Sequence, residues 1–326
     1  MSGTYVVITT INEKTEAVCA FEELGVGKIT LVGDLKSKPI SSNKITKFLS
    51  VKEQEQLGFH ISKKLPYNHY VRKNIGYLYA LKEGGEMIYD TDDDNLPYKN
   101  WTFPTMDSYR GELIKEAKYF NVYSRFTDEL IWPRGFPLNR VSKPEDWVSE
   151  EDNADIGVWQ GLADLDPDVD AIHRLIYGKE IRFNERRPLV LDIGTYCPFN
   201  SQNTLWKKEM MPYAYLPSTV TFRFTDILRG YVAQRCFWEH GQRLGFTKAT
   251  VFQERNEHDL MKDFESEIPC YMQIEKLVSI LNTIELNTDF RHNLTSIYQA
   301  LAKEGIVQLN ELDIIEAWIN DISKFI

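Results

Sequence analysis

The segment Met87-Ile-Tyr-Asp90-Thr-Asp92-Asp93-Asp94-Asn95 sets an apolar run against four carboxylates in five positions. Such charges repel strongly unless a cation sits among them, and hard divalent cations prefer oxygen ligands of this kind. The apolar half, Glu86-Met-Ile-Tyr89, predicts a strand that delivers the acids to its end. Upstream, residues 70–83 carry apolar side chains at 71, 75, 78 and 79 and stop at Gly84-Gly85, which predicts a helix. Further back, Tyr5-Val-Val-Ile-Thr-Thr10 and Lys28-Ile-Thr-Leu-Val32 predict buried strands, with helices over residues 13–24 and 51–58. Alternating strands and helices argue for an α/β domain with a parallel sheet. Ligands of such sheets bind beyond the carboxyl ends of the strands. Those ends carry Thr9–Asn12, Gly33–Asp34 and the acidic segment, so the three are expected to line one crevice.

The chain has 326 residues, 43% hydrophobic and 26% charged, the make-up of a folded soluble protein. Its 48 acidic and 38 basic residues give a net charge of −10. That disfavours nucleic acid, which needs Lys and Arg to displace phosphate counterions, and electrostatic docking on anionic lipid. Cys19, Cys197, Cys236 and Cys270 are widely spaced, with no CxxC pair, and read as buried free thiols in a reducing compartment. No apolar run reaches the ~18 residues of a membrane span. Met1-Ser2-Gly3-Thr4 leads straight into a strand rather than a signal peptide, so a cytoplasmic location is expected.

Residues 96–220 are less regular and rich in Pro, Trp and Tyr, with Leu189-Val-Leu-Asp-Ile193 as a further strand. After about residue 222 the pattern turns helical, with helical spacing over 274–286, 292–304 and 311–325 and an N-cap pair in Asn310 and Asp313. The expected division is an α/β domain over residues 1–255 and a helical C-terminal subdomain over 256–326. A second acidic run, Asp164, Asp166, Asp168 and Asp170, is expected to send at least one carboxylate to the site.

Three cation or phosphate chemistries compete for the first acidic segment. An EF-hand loop starting at Asp90 fails, because its sixth position is Asn95 rather than Gly and its twelfth is Trp101 rather than Glu. An aspartyl-phosphate phosphatase uses a similar Asp-x-Asp with one nucleophilic Asp, but that motif opens its fold, and here two strands precede it. Nucleotide-sugar transferases of the GT-A kind place Asp-x-Asp after several strands of a nucleotide-binding half, which fits the order found here best.

Further blocks carry a resemblance. They are Leu65-Pro-Tyr-Asn-His-Tyr-Val-Arg72-Lys73-Asn74-Ile-Gly76, Trp132-Pro-Arg-Gly-Phe-Pro-Leu-Asn139 and Gly157-Val-Trp-Gln160-Gly-Leu-Ala-Asp164. Pro198-Phe-Asn200-Ser201-Gln202-Asn203-Thr204 and Asp226-Ile-Leu-Arg229-Gly230-Tyr-Val-Ala-Gln234-Arg235-Cys-Phe-Trp238 follow. In this order, with the acidic segment, they resemble the STELLO-type glycosyltransferases over roughly residues 4–245, and more distantly the reversibly glycosylated polypeptides (UDP-arabinopyranose mutases). Plant members of the STELLO type carry an N-terminal Golgi anchor. The resemblance implies an α/β fold of GT-A type, Rossmann-like and built for nucleotide-diphospho-sugars. It also implies sugar transfer from a nucleotide-diphosphate sugar to a hydroxyl of a glycan or glycoconjugate, with Mn²⁺ or Mg²⁺. A sugar mutase or nucleotidyltransferase on the same fold, or a scaffold that binds without turnover, are the alternatives.

The resemblance also implies roles. In the family the cluster reads roughly Asp-Ala-Asp-Asp followed by a basic residue, whereas Asp94 stands at that last position here. The metal pair is therefore Asp90 and Asp92 in the family's register or Asp92 and Asp94 in a shifted one, with His258 a candidate third ligand. Thr9, Thr10, Asn12 and Asp34 are candidates for the nucleoside. Arg72, whose planar fork matches phosphate oxygens, and Asn74 lead the helix before the metal strand. Gly76 is expected to let that helix pack closely. Asn200 and Gln202 are candidates for sugar hydroxyls, Arg229 and Arg235 for the diphosphate or the acceptor, and Asp226 for the general base of an inverting transfer.

Overall fold

A computed structural model describes residues 3–254 and 259–326. The chain opens with β1 (Thr4–Thr9), α1 (Glu16–Leu24), β2 (Lys28–Val32), β3 (Thr46–Leu49) and α2 (Val51–Gln56). Local chemistry sets these boundaries. The Thr15 side chain caps α1 by accepting from the Val18 N–H, and Gly25 ends it at φ 61°. Ser50 and Glu53 form a reciprocal capping box at the start of α2. A 3₁₀ turn over residues 70–72 then leads into α3 (Lys73–Lys82) and β4 (Met87–Asp92).

The middle of the chain is more regular than its composition suggests. It holds β5 (Asn95–Pro97), β6 (Tyr109–Lys115), α4 (Leu138–Val141), β7 (Val148–Leu165), α5 (Ala171–Tyr177), β8 (Leu189–Leu191) and β9 (Asn203–Lys207). Then come α6 (Thr225–Glu239), β10 (Gln242–Gln253), α7 (Leu260–Thr283), α8 (Phe290–Lys303) and α9 (Glu311–Ile322). The long β10 falls where only helices were expected.

The strands form one mixed sheet in the order β3-β2-β1-β4-β9-β7-β6-β8-β10-β5, with β7 also pairing with β10. The first four strands are parallel, and β9 runs antiparallel to β4. The 18-residue β7 changes partners along its length: its first half pairs with β6 and its second half with β9 and β10. Register brings Thr9 beside Asp92 on one side and Val32 on the other, and Thr91 opposite Asn203. The carboxyl ends of β1, β2, β4, β7 and β10 therefore share one rim with the amino end of β9.

One apolar core runs from Val7, Ile75 and Tyr77 through Phe237 to Leu277, Leu294, Ile297 and Trp318, so the C-terminal helices share the core of the α/β part. Polar ties reinforce this. Asp321 accepts from the Ile61 N–H at 2.9 Å, and Glu311 accepts from the Ser218 and Thr219 N–H groups. Glu311 opens α9, whereas Asn310 makes no side-chain capping bond. Gly76 acts as expected: a Cβ there would lie 2.6 Å from methyl carbons of Val7 and Val32, so only glycine lets α3 sit this close to the sheet. Cys197, Cys236 and Cys270 are buried and Cys19 is half-buried, all as free thiols. Among the described residues no helix is long and apolar enough to cross a membrane.

Candidate functional site

Two of the cavities on the rim adjoin each other. The larger, about 470 Å³, is lined by Thr9, Thr10, Asn12, Asp34, His69 and Arg72 among others. The second, about 270 Å³, is lined by Asp92, Asp93, Asp94, Arg134, Asp168, Asn200, Ser201, Gln202, Arg223, Asp226 and Gln253. They share the walls Thr9, Tyr70, Asp93 and Phe222, so a single ligand can span both. Phe222, 53% exposed, presents its ring at the junction, packed 4.6 Å from Tyr70 and 5.0 Å from His69 by centroid.

On the first side, Thr10 Oγ1 and Asn12 Nδ2 both donate to Asp93 Oδ2, at 2.5 and 3.0 Å. Asp34 accepts from the His69 N–H and from the Leu35 N–H. His69 is held to a pKa of about 4 by burial, against the pull of Asp34, so it is neutral at pH 7. Arg72 is 1% exposed, with its guanidinium 4.5 Å above the Tyr67 ring and its Nε donating to Gln54. It lines this first cavity and not the acidic one.

The acidic crevice is built on the end of β4. Strand alternation puts Asp90 and Asp92 on one face, and α3 delivers Lys73 to that face. Lys73 is fully buried, with its ammonium 2.9 Å from both Asp90 Oδ1 and Asp92 Oδ1. Its protons go to Asp92 Oδ1, Thr91 O and Ser201 O, so the Asp90 contact is ionic without a hydrogen bond. Burial lowers the pKa of Lys73, but the two carboxylates outweigh it and the net shift is upward. Arg229 closes the other side of Asp90 at 3.1 Å, its guanidinium resting against the rings of Phe199 and Trp206.

This overturns two expectations. The strand runs on through Asp92, so Asp90 lies inside the sheet, closed between two cations, and does not line the crevice. Arg229 is buried with it rather than offered to a diphosphate.

Asp92 keeps 41% of its side chain exposed. Its carboxyl is nonetheless held above the usual carboxylate range, first by burial and then by Asp94 and Asp90, against Lys73. Asp94 accepts from Asn95 Nδ2 and, at 2.7 Å, from Gln253 Nε2.

The floor is a buried ion triad. Arg134 donates from Nε and Nη2 to Asp168 at 2.8 and 2.9 Å, and from Nη1 and Nη2 to Asp226 at 3.1 and 3.0 Å. Asn200 Nδ2 also donates to Asp168. Burial would raise the Asp168 pKa, but the Arg134 charge outweighs it and lowers it strongly. Asp226 reaches the crevice as expected, yet both its oxygens already accept hydrogen bonds, from Arg134, Tyr70, Ser201 N and its own helix's first turn. Asp226 thus holds the Arg134 guanidinium from the side opposite Asp168.

Asn200 and Gln202 line the crevice, with Gln202 Nε2 donating to Gln253. Asn74 does not reach it: its amide is locked to both backbone groups of Leu216. Arg235 is also remote, pairing with Glu239 and the carbonyls of Leu281 and Ile284. His258 lies outside the described residues.

Of the second acidic run, only Asp168 lines this crevice. Asp164 accepts from Tyr98 and the Phe183 N–H, Asp166 pairs with Arg174, and Asp170 caps α5 and accepts from Trp132. Lys73 and Arg134 are among the residues missed at the site, as are Phe222, Arg223 and Gln253. Lys73 and Arg134 sit in the sequence blocks quoted above, and their charge was the available signal.

Five aspartates and two arginines line the crevice, a net of −3, which repels anions and attracts cations. The donor set suits a cation. Mg²⁺ is commonly held by one or two carboxylates plus substrate phosphates rather than by an all-protein cage. Asp92 and Asp94 supply such a pair, and Gln253 and Asn95 orient Asp94 as outer-shell partners do. Among the described residues no three His, Cys, Asp or Glu side chains converge as a closed metal cage.

Comparison with known proteins agrees with the resemblance read from the sequence blocks. Residues 223–326 match the family model described as STELLO glycosyltransferases. The chain is 27% identical over 340 residues to "Probable glycosyltransferase STELLO1" of Arabidopsis thaliana, and 26% identical to "Probable glycosyltransferase STELLO2" of the same plant. Each alignment covers 98% of this chain but 44% of the relative, so the chain spans less than half the length of these curated relatives. Among solved structures, a mycobacterial protein superposes with a TM-score of 0.39 at 9% identity, over 83% of this chain and 74% of that one. GalNAc-T7 with UDP, GalNAc and Mn²⁺ gives 0.37 at 10%, over 98% and 56%. Likeness this loose carries no argument about the chemistry.

Proposed function

We propose that this chain is a divalent-cation-dependent glycosyltransferase, moving a sugar from a nucleoside-diphosphate sugar to a hydroxyl of a glycan or glycoconjugate. The observation that carries this reading is the pair of joined cavities, one neutral to weakly polar and one acidic, sharing the Phe222 and Asp93 walls. The nucleoside lies in the first, against Thr9, Thr10, Asn12, Asp34 and Arg72. The diphosphate crosses at Phe222 toward Asp92 and Asp94, and the sugar faces Asn200, Ser201 and Gln202.

In the transfer, the bond from the anomeric carbon to the β-phosphate oxygen breaks and its electron pair leaves with the diphosphate. The acceptor oxygen bonds to that carbon, and its proton passes to the departing diphosphate or to water. A bound Mn²⁺ or Mg²⁺ offsets the charge that develops on the leaving diphosphate. The chain's own part is orientation. The Arg134–Asp168–Asp226 triad makes a floor with its charges satisfied, Asn200 is tied to it, and Asp92 is fixed from below by Lys73.

A thermal-shift panel of nucleotide sugars, with Mn²⁺ and with EDTA, tests the reading. Ligands that bind only the native state raise the melting temperature. The expected result is a rise with one nucleotide-sugar type in Mn²⁺ that EDTA abolishes, followed by release of nucleoside diphosphate when an acceptor is supplied. No rise with any nucleotide sugar under either condition would overturn it.

A further inference from the structure

We propose that the Asp90–Asp92 pair is permanently bridged by the ammonium of Lys73, which leaves the divalent cation to Asp92 and Asp94. The proposal rests on the transferase reading only for the presence of that cation. Its basis is the geometry under β4. The space between Asp90 and Asp92, where a cation would sit in the family's register, is already occupied by a fixed positive charge 2.9 Å from each carboxylate. That charge has no exposed surface, and backbone carbonyls of Thr91 and Ser201 take its remaining protons. Arg229 then saturates the far oxygen of Asp90.

A divalent ion entering between Asp90 and Asp92 would meet two buried like charges and displace a lysine from three hydrogen-bond acceptors and from its ionic contact with Asp90. Asp92 reaches the outward position with a side chain partly open to the crevice, and Asp94 lines the same crevice.

Lys73 is therefore a positioning residue. By anchoring Asp92 Oδ1 it fixes the rotamer that offers the other oxygen outward, and by neutralising Asp90 it moves the cation site two residues along the chain.

The test is Mn²⁺ binding by the full chain in the presence of UDP or GDP, read from the electron paramagnetic resonance signal of free Mn²⁺. Asp90→Asn should bind Mn²⁺ within about twofold of the native protein, whereas Asp94→Asn should lose at least tenfold. A tenfold loss in Asp90→Asn, or native affinity in Asp94→Asn, overturns the proposal. A native protein that retains no Mn²⁺ even with nucleotide removes the cation reading itself, which separates that failure from an error of register.

Should Asp90→Asn not fold, the native protein gives the same answer by ¹⁵N spectroscopy of lysine ammonium groups. A slowly exchanging ammonium that Lys73→Arg removes should persist unchanged when Mg²⁺ is added. Its disappearance on Mg²⁺ addition would mean that the metal displaces Lys73, contrary to the proposal.

Discussion

Replacing Arg134 by Met removes the guanidinium that sits between Asp168 and Asp226. Both carboxylates are buried, at 8% and 6% side-chain exposure, and would be left facing each other without it. Breaking a buried ion pair from one side costs about 3–5 kcal/mol. With an unfolding entropy of about 2.1 cal/mol/K per residue over 326 residues, that lowers the melting temperature by about 4–7 °C.

The triple variant Arg134→Met, Asp168→Asn, Asp226→Asn removes all three charges and should recover most of the loss, because a neutral set of similar volume leaves no buried charge unpaired. The pH dependence has a definite sign. The folded-state pKa of Asp168 is depressed, so its pairing stabilises the native protein fully above the unfolded carboxylate value of about 3.9. That contribution disappears as pH falls through the lower folded value. The gap between native protein and Arg134→Met should therefore be full at pH 7 and shrink on acidification. Differential scanning calorimetry at a series of pH values measures it. A single variant that melts within 1 °C of the native protein at pH 7, or a triple variant that melts no higher than the single, would refute the ion-triad account of the crevice floor.

Other positions give sharper local readouts. Phe222→Ala should leave stability nearly unchanged, because the ring is largely exposed, but weaken nucleotide binding about tenfold, about 1.4 kcal/mol, because the ring walls the junction that the diphosphate crosses; scanning calorimetry measures the first and calorimetric titration the second. His69 has its pKa lowered to about 4 by burial, so native stability should fall as pH drops from about 6.5 toward 4, and His69→Gln should flatten that slope in urea titrations. Gly76→Ala brings a Cβ to 2.6 Å from Val7 and Val32; overpacking of about 1–3 kcal/mol should outweigh the helix gain of about 1 kcal/mol, and a melting temperature at or above native would contradict the close α3 packing.

The parallel half of the sheet was legible because β1, β2 and β4 are short apolar runs whose ends carry the polar residues, and their register then brings those ends together. The placement of Thr9, Thr10, Asn12 and Asp34 on one cavity wall followed from that alone. The long strands β7 and β10 were not legible. β7 is polar and exposed in its first half and buried in its second, so no single period marks it. β10 follows a helix and carries glycine and threonine within a mixed pattern.

The fate of Asp90 was hidden for a different reason. Alternation tells that Asp90 and Asp92 share a face, but not that a lysine stands opposite. That depends on how closely α3 approaches the sheet at Gly76, a tertiary fact. Arg229 and Arg235 lie six residues apart on one helix and were assigned alike from charge. One points to Asp90 and the other to the C-terminal helices, which only the packing of α6 decides.

The central claim is that the acidic crevice takes a diphosphate only through a cation held by Asp92. Calorimetric titration of UDP and GDP into the native chain and into Asp92→Ala, each in Mn²⁺ and in EDTA, tests it most directly. The account predicts binding by the native chain in Mn²⁺ alone, and loss of that binding in Asp92→Ala. Equal affinity in Mn²⁺ and EDTA, or an Asp92→Ala protein that binds nucleotide as the native one does, would contradict it.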